Sequence, residues 1–69
     1  MTNEELKKAL FARSPVIYSD AYGSREYRHV SSIIYRCVNG KLEITAEVLD
    51  KTDRSVSIVD PAKLKFKEV

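Results

Sequence analysis

His29 and Cys37 are the only histidine and the only cysteine in the sequence. Together they would be a nucleophile and its base, provided they came within hydrogen-bond reach. They lie eight positions apart in a segment of strand-like composition. At ~3.3 Å per residue an extended chain separates them by about 26 Å, and a bend near Ser31-Ser32 shortens that gap without closing it. The simpler reading is preferred, with His29 at or near the surface and Cys37 a small buried hydrophobe. Zinc sites cluster several Cys and His, and one of each is too few. Asp50-Lys51-Thr52-Asp53 lacks the Gly and the terminal Glu of a calcium loop, so Asp50, Asp53 and Asp60 read as turn residues. Gly23 and Gly40 are the only glycines, which leaves no phosphate-cradling loop and no Gly-flanked serine elbow. The expectation is a protein that is not an enzyme, with no catalytic set, metal, cofactor or small-molecule substrate.

A different constellation carries binding chemistry. Tyr18, Tyr22, Tyr27 and Tyr35 are interleaved with Arg25, Arg28 and Arg36. Tyr and Arg together stack on bases or anchor protein interfaces. Tyr27 and Tyr35 are expected to fill the core with their hydroxyls at its rim, since Tyr suits strands and a chain without Trp needs aromatic bulk. Tyr22, in a turn beside Gly23, is the better exposed contact. Lys63, Lys65 and Lys67 alternate along the last strand and would point one way. With Arg25 or Arg28 nearby they form a basic patch suited to phosphate, although lysines that blunt a sheet edge explain them equally well.

The elements that must position these residues follow from patterning. Residues 2–13 read as a helix. Thr2 and Glu5 have capping-box spacing, Leu6, Ala9 and Leu10 form an apolar stripe with Phe11 beside it, and Pro15 disfavours helical geometry at Ser14. Residues 16–69 read as antiparallel strands. Val16-Ile17-Tyr18 is the first, bounded by a turn-rich stretch. A second, long strand spans residues 25–38. Its apolar positions change parity near Ser31-Ser32, which predicts a bulge or a sharp bend. Asn39-Gly40 predicts a type I′ hairpin. Leu42, Ile44, Ala46 and Val48 alternate with polar residues, giving a third strand with one buried face. A fourth strand, residues 55–59, is expected to turn Val56 and Ile58 inward. Asp60-Pro61-Ala62 predicts a tight or 3₁₀ turn, and a short fifth strand then carries Leu64, Phe66 and Glu68 on one face.

A chain of 69 residues is expected to form a single domain. Its formal charge of +2 and pI near 8.8 permit nucleic-acid binding without suggesting it. A lone cysteine excludes an intramolecular disulfide. The start of the chain is acidic and lacks a long apolar stretch, unlike a secretory signal, and no apolar run is long enough to span a bilayer. A cytoplasmic protein without a membrane partner is expected.

This order of elements, with a long bent second strand and a one-turn element before the last, resembles the small barrels of the Src-homology-3 type with an added N-terminal helix. The resemblance implies a mainly β fold, a five-stranded antiparallel barrel. It does not extend to the aromatic signature of peptide-binding members, because Trp and an Ala-Leu-Tyr-Asp-Tyr run are both missing. The helix-plus-five-strand layout is also that of Sm-like RNA-binding rings, whose glycine-bearing motifs are absent here. Pro15-Val16-Ile17-Tyr18, Ile33-Ile34-Tyr35-Arg36 and Ala46-Glu47-Val48-Leu49-Asp50 resemble small uncharacterised proteins of bacterial prophages and mobile elements. The functional expectation is a non-catalytic interaction module that binds a protein partner or self-associates, through Tyr22, Arg25, Arg28, Lys63, Lys65 and Lys67. The alternative is a nucleic-acid-binding accessory protein using the basic last strand and the Tyr/Arg region.

Overall fold

The computed structural model describes residues 1–67. The described residues form one helix, α1 (Asn3–Ala12), and six strands: β1 (Val16–Asp20), β2 (Gly23–Tyr27), β3 (His29–Val38), β4 (Lys41–Leu49), β5 (Val56–Val59) and β6 (Leu64–Phe66). A 3₁₀ turn at Pro61–Lys63 precedes β6. The fold is mainly β with an N-terminal helix, as the patterning predicts. Six strands in two three-stranded antiparallel sheets, β2-β1-β6 and β3-β4-β5, replace the expected five-stranded barrel, and neither sheet closes.

The extra strand arises at Arg28, where the expected long second strand breaks into β2 and β3. Tyr27 and Val30 are both buried although they are three positions apart, and an unbroken strand would send them to opposite faces. The chain therefore turns at Arg28 and passes from one sheet to the other. The predicted irregularity at Ser31-Ser32 is present as a register shift between Val30 and Ser32. Ser31 is the extra residue, and its hydroxyl donates to Glu47 Oε1 at 2.7 Å. The bulge keeps Val30, opposite Val48, on the same face as Ile33, opposite Ala46.

Helix α1 begins with the predicted capping box: Thr2 Oγ1 accepts the Glu5 N–H and Glu5 Oε1 accepts the Thr2 N–H. It ends at Arg13, whose backbone is left-handed with φ 53° and whose N–H donates to the Ala9 carbonyl at 3.0 Å. Leu6 and Ala9 pack into the core with Val16, Tyr27, Val30, Ala46, Val48, Val59 and Leu64. Phe11, beside the stripe, is exposed. Asn39 and Gly40 both have positive φ, 51° and 77°, as a type I′ turn requires.

Several expectations about facing are corrected. Val56 and Ile58 point outward, 50% and 55% exposed, while Ser57 and Val59 face in. The cause is register: Val59 lies opposite buried Ala46 and Ser57 opposite buried Val48. Cys37 is exposed, not buried, and the stripe on β4 is buried only at Ala46 and Val48, with Leu42 66% exposed. Both lie at the far end of the β3–β4 hairpin, whose strands of 10 and 9 residues outrun the three- to five-residue strands of the other sheet. Tyr35, on the same overhang, is half exposed, and its hydroxyl donates to Asn3 Oδ1 at 2.7 Å. Lys63 belongs to the 3₁₀ turn, so the three lysines do not share one strand face. Glu68, expected to continue the last strand, lies outside the described residues.

Candidate interaction surface

The β1–β2 hairpin turns through Ala21 and Tyr22, closed by the pairing of Asp20 with Gly23. Asp20 Oδ1 accepts the Tyr22 N–H at 2.8 Å, the local bond that Asp supplies in turns. This bond fixes the backbone of Tyr22 and leaves its side chain 98% exposed. Gly23 has φ 132°, a conformation that side chains with a Cβ rarely adopt.

Register places Arg25 opposite Tyr18 on β1, and Tyr18 in turn opposite Leu64 on β6. Directly opposed residues share a face, so Arg25 stands on the core-facing side of its sheet at the end where cover runs out. Tyr18 there is half-buried and Tyr27, two rungs inward on the same face, is buried. A groove of about 250 Å³ opens over this end, lined by Tyr18, Asp20, Tyr22, Ser24, Arg25 and Tyr27. A second hollow of about 520 Å³ runs from Arg25 and Tyr27 to Asp50, Thr52 and Ser57. Arg25 and Tyr27 border both, so the two hollows adjoin at these side chains, between the hairpin tip and the β4–β5 loop.

The remaining sequence-predicted residues have different fates. The Arg28 guanidinium is ion-paired with Asp53, and the Arg28 backbone N–H donates to the Leu49 carbonyl at 2.8 Å. Lys67 lies 2.8 Å from Glu26, which also receives Lys51 at 3.1 Å. The Lys67 and Lys51 ammonium groups hold the Glu26 carboxyl below the usual carboxylate range. Lys65 faces outward opposite Ile17, on the reverse side of the sheet from Arg25. Tyr22 and Arg25 are thus brought together, and the lysines are not gathered with them. Among the described residues, Arg25, Lys63 and Lys65 make no ion pair.

Asp50, read from the sequence as a turn residue, organises the β4–β5 loop through its carboxylate. Its carboxylate accepts the hydroxyls of Thr52 and Ser55 at 2.8 and 2.5 Å and the N–H groups of Thr52 and Arg54 at 3.0 and 3.3 Å. The Ser55 hydroxyl first, then that of Thr52, hold this carboxyl far below its ordinary value. An Asp followed two residues later by Thr is the sequence signal of such a turn. His29 and Cys37 occupy opposite ends of β3. Among the described residues, no three His, Cys, Asp or Glu side chains are grouped to hold a metal ion, and no helix is long and apolar enough to cross a membrane. No family model matches the chain, and no curated protein or solved structure is similar enough to it to count as a match.

Proposed function

We propose that the chain is a non-catalytic interaction module that holds a segment of a partner protein in the adjoining hollows between Tyr22 and the β4–β5 loop. The observation that carries this reading is Arg25, a guanidinium with no ion-pair partner among the described residues, set opposite Tyr18 and beside exposed Tyr22. Tyr and Arg are the residue types that dominate binding energy at protein interfaces. A planar guanidinium is matched by a carboxylate, so the expected segment carries an acidic residue and an apolar neighbour for the tyrosines. Nucleic acid is the weaker reading. Lys67 and Arg28 are neutralised by Glu26 and Asp53, and Asp20 lines the groove, which breaks up the positive field that phosphate binding needs. A reducing, cytoplasmic setting accords with a single exposed cysteine.

Selection from a displayed random-peptide library, followed by amide-shift mapping with the enriched peptide, tests the proposal. Acidic peptides should enrich, perturb Tyr18, Tyr22, Arg25 and Tyr27, and lose binding in Arg25→Ala. Shifts confined to other surfaces, or salt-sensitive binding of single-stranded oligonucleotides at Lys63 and Lys65, would overturn it.

A further inference from the structure

Two three-stranded sheets have four edge strands, and three of them carry the charged residues that discourage pairing with another chain. β2 has Arg25 and Glu26, β6 has Lys65, and β3 has Arg36 and the bulge at Ser31. β5 is Val-Ser-Ile-Val, with no charge, proline or bulge, and its two outward side chains are apolar and half exposed. Its backbone is equally available. The Ser55 carbonyl accepts the Asp50 N–H at 3.0 Å, continuing the register in which Val56 faces Leu49. Bonded and unbonded rungs alternate in an antiparallel pair, so Ser55, Ser57 and Val59 bond to β4. Val56 and Ile58 then turn their N–H and C=O groups away from β4, toward the open edge.

We infer that β5 pairs with β5 of a second copy of this chain, antiparallel about a two-fold axis through Ser57. That register sets Val56 against Ile58 of the second copy, and Ile58 against its Val56. Each outward-pointing N–H and C=O then meets an outward-pointing group of the other chain, and the apolar side chains close into one row on the outer face. The same register sets Arg54 opposite Asp60 of the second copy, at both ends of the contact. Neither residue has an ion-pair partner among the described residues. This charge match selects a second copy over an arbitrary strand, and it makes the two sheets one six-stranded sheet, β3-β4-β5-β5-β4-β3. The contact is isologous, so it closes at two chains. It uses the edge and outer face of β5, whereas the hollows at Arg25 reach β5 only through Ser57 and the preceding Ser55, on the inner face, and it does not depend on that proposal.

The register gives a specific test. Ser57 lies on the axis at an unbonded rung of the new pair, where Cα atoms approach to about 4.5 Å, within disulfide range. In a Cys37→Ser background, Ser57→Cys should cross-link to a covalent dimer under mild oxidation, whereas Ser55→Cys should not. Analytical ultracentrifugation should show a concentration-dependent dimer that is lost in Ile58→Lys and weakened in Arg54→Asp, and unchanged in Arg25→Ala. A wild-type chain that stays monomeric at millimolar concentration would overturn the inference. So would a dimer that survives Ile58→Lys, or equal cross-linking at positions 55 and 57.

Discussion

The Lys67 ammonium lies 2.8 Å from the Glu26 carboxylate, tying the residue after β6 to β2 across the intervening β1. Lys51 reaches the same carboxylate at 3.1 Å from the β4–β5 loop. One acid therefore restrains two of the cations that could otherwise build a phosphate-binding face. Glu26→Gln removes the anion and leaves both ammonium groups. Retention on heparin at low salt is expected to rise above wild type and to vanish as salt screens the charge. Unchanged retention would mean that Glu26 does not suppress polyanion binding.

Acid should weaken the fold through Asp50 and Glu26. The Ser55 and Thr52 hydroxyls depress the Asp50 carboxyl, and Lys67 and Lys51 depress that of Glu26. A carboxyl depressed in the folded state stabilises above its unfolded value and loses that contribution as pH falls through the folded one. Stability is thus expected to be level near neutrality and to decline as pH drops below the ordinary carboxylate range. Urea titrations at pH 7 and in this acid range check the slope. Asp50→Asn should be less stable at neutral pH and should flatten the acid decline.

The helix is expected to matter through one face. Leu6 is 1% exposed and Phe11 is 85% exposed. Leu6→Ala should cost about 3 kcal/mol, from the lost methyl groups and the cavity they leave. Phe11→Ala should change stability by no more than about 0.5 kcal/mol. Thr2→Ala, which removes half of the capping box, should fall between them at about 1 kcal/mol. Thermal unfolding resolves these differences, since 1 kcal/mol moves the midpoint of a chain this small by about 4–8 °C.

The same contrast marks how far sequence carried the fold. The helix, its cap, the Asn39-Gly40 turn and the irregularity at Ser31-Ser32 are local devices, each written in two to four adjacent residues. The facing of β5 is not local. Val56-Ser57-Ile58-Val59 has apolar residues on both parities, and Val59 wins the core because it lies opposite Ala46, a relation between distant strands. The break at Arg28 is tertiary as well, set by the joint burial of Tyr27 and Val30. At the candidate site, the exposure of Tyr22 was legible from its turn. The split of the cations was not, because Glu26 and Asp53 find Lys67 and Arg28 only through sheet order.

Both glycines sit at hairpins, and their substitution separates backbone cost from packing cost. A Cβ at Gly23 or Gly40 would meet nothing within 4 Å, so alanine there introduces no clash with neighbouring side chains. What remains is the backbone. Gly40, at φ 77°, lies close to the left-handed region, and Gly40→Ala is expected to cost about 1–2 kcal/mol. Gly23, at φ 132°, lies outside any region that alanine readily adopts, so Gly23→Ala must remodel the turn and should cost more. That remodelling displaces Asp20 and Tyr22 together, because their 2.8 Å bond depends on the turn. Chemical denaturation should therefore rank Gly23→Ala below Gly40→Ala. Amide shifts should change around Tyr18 and Arg25 only in the former, and the reverse ranking would show that the β3–β4 turn is the more constrained hairpin.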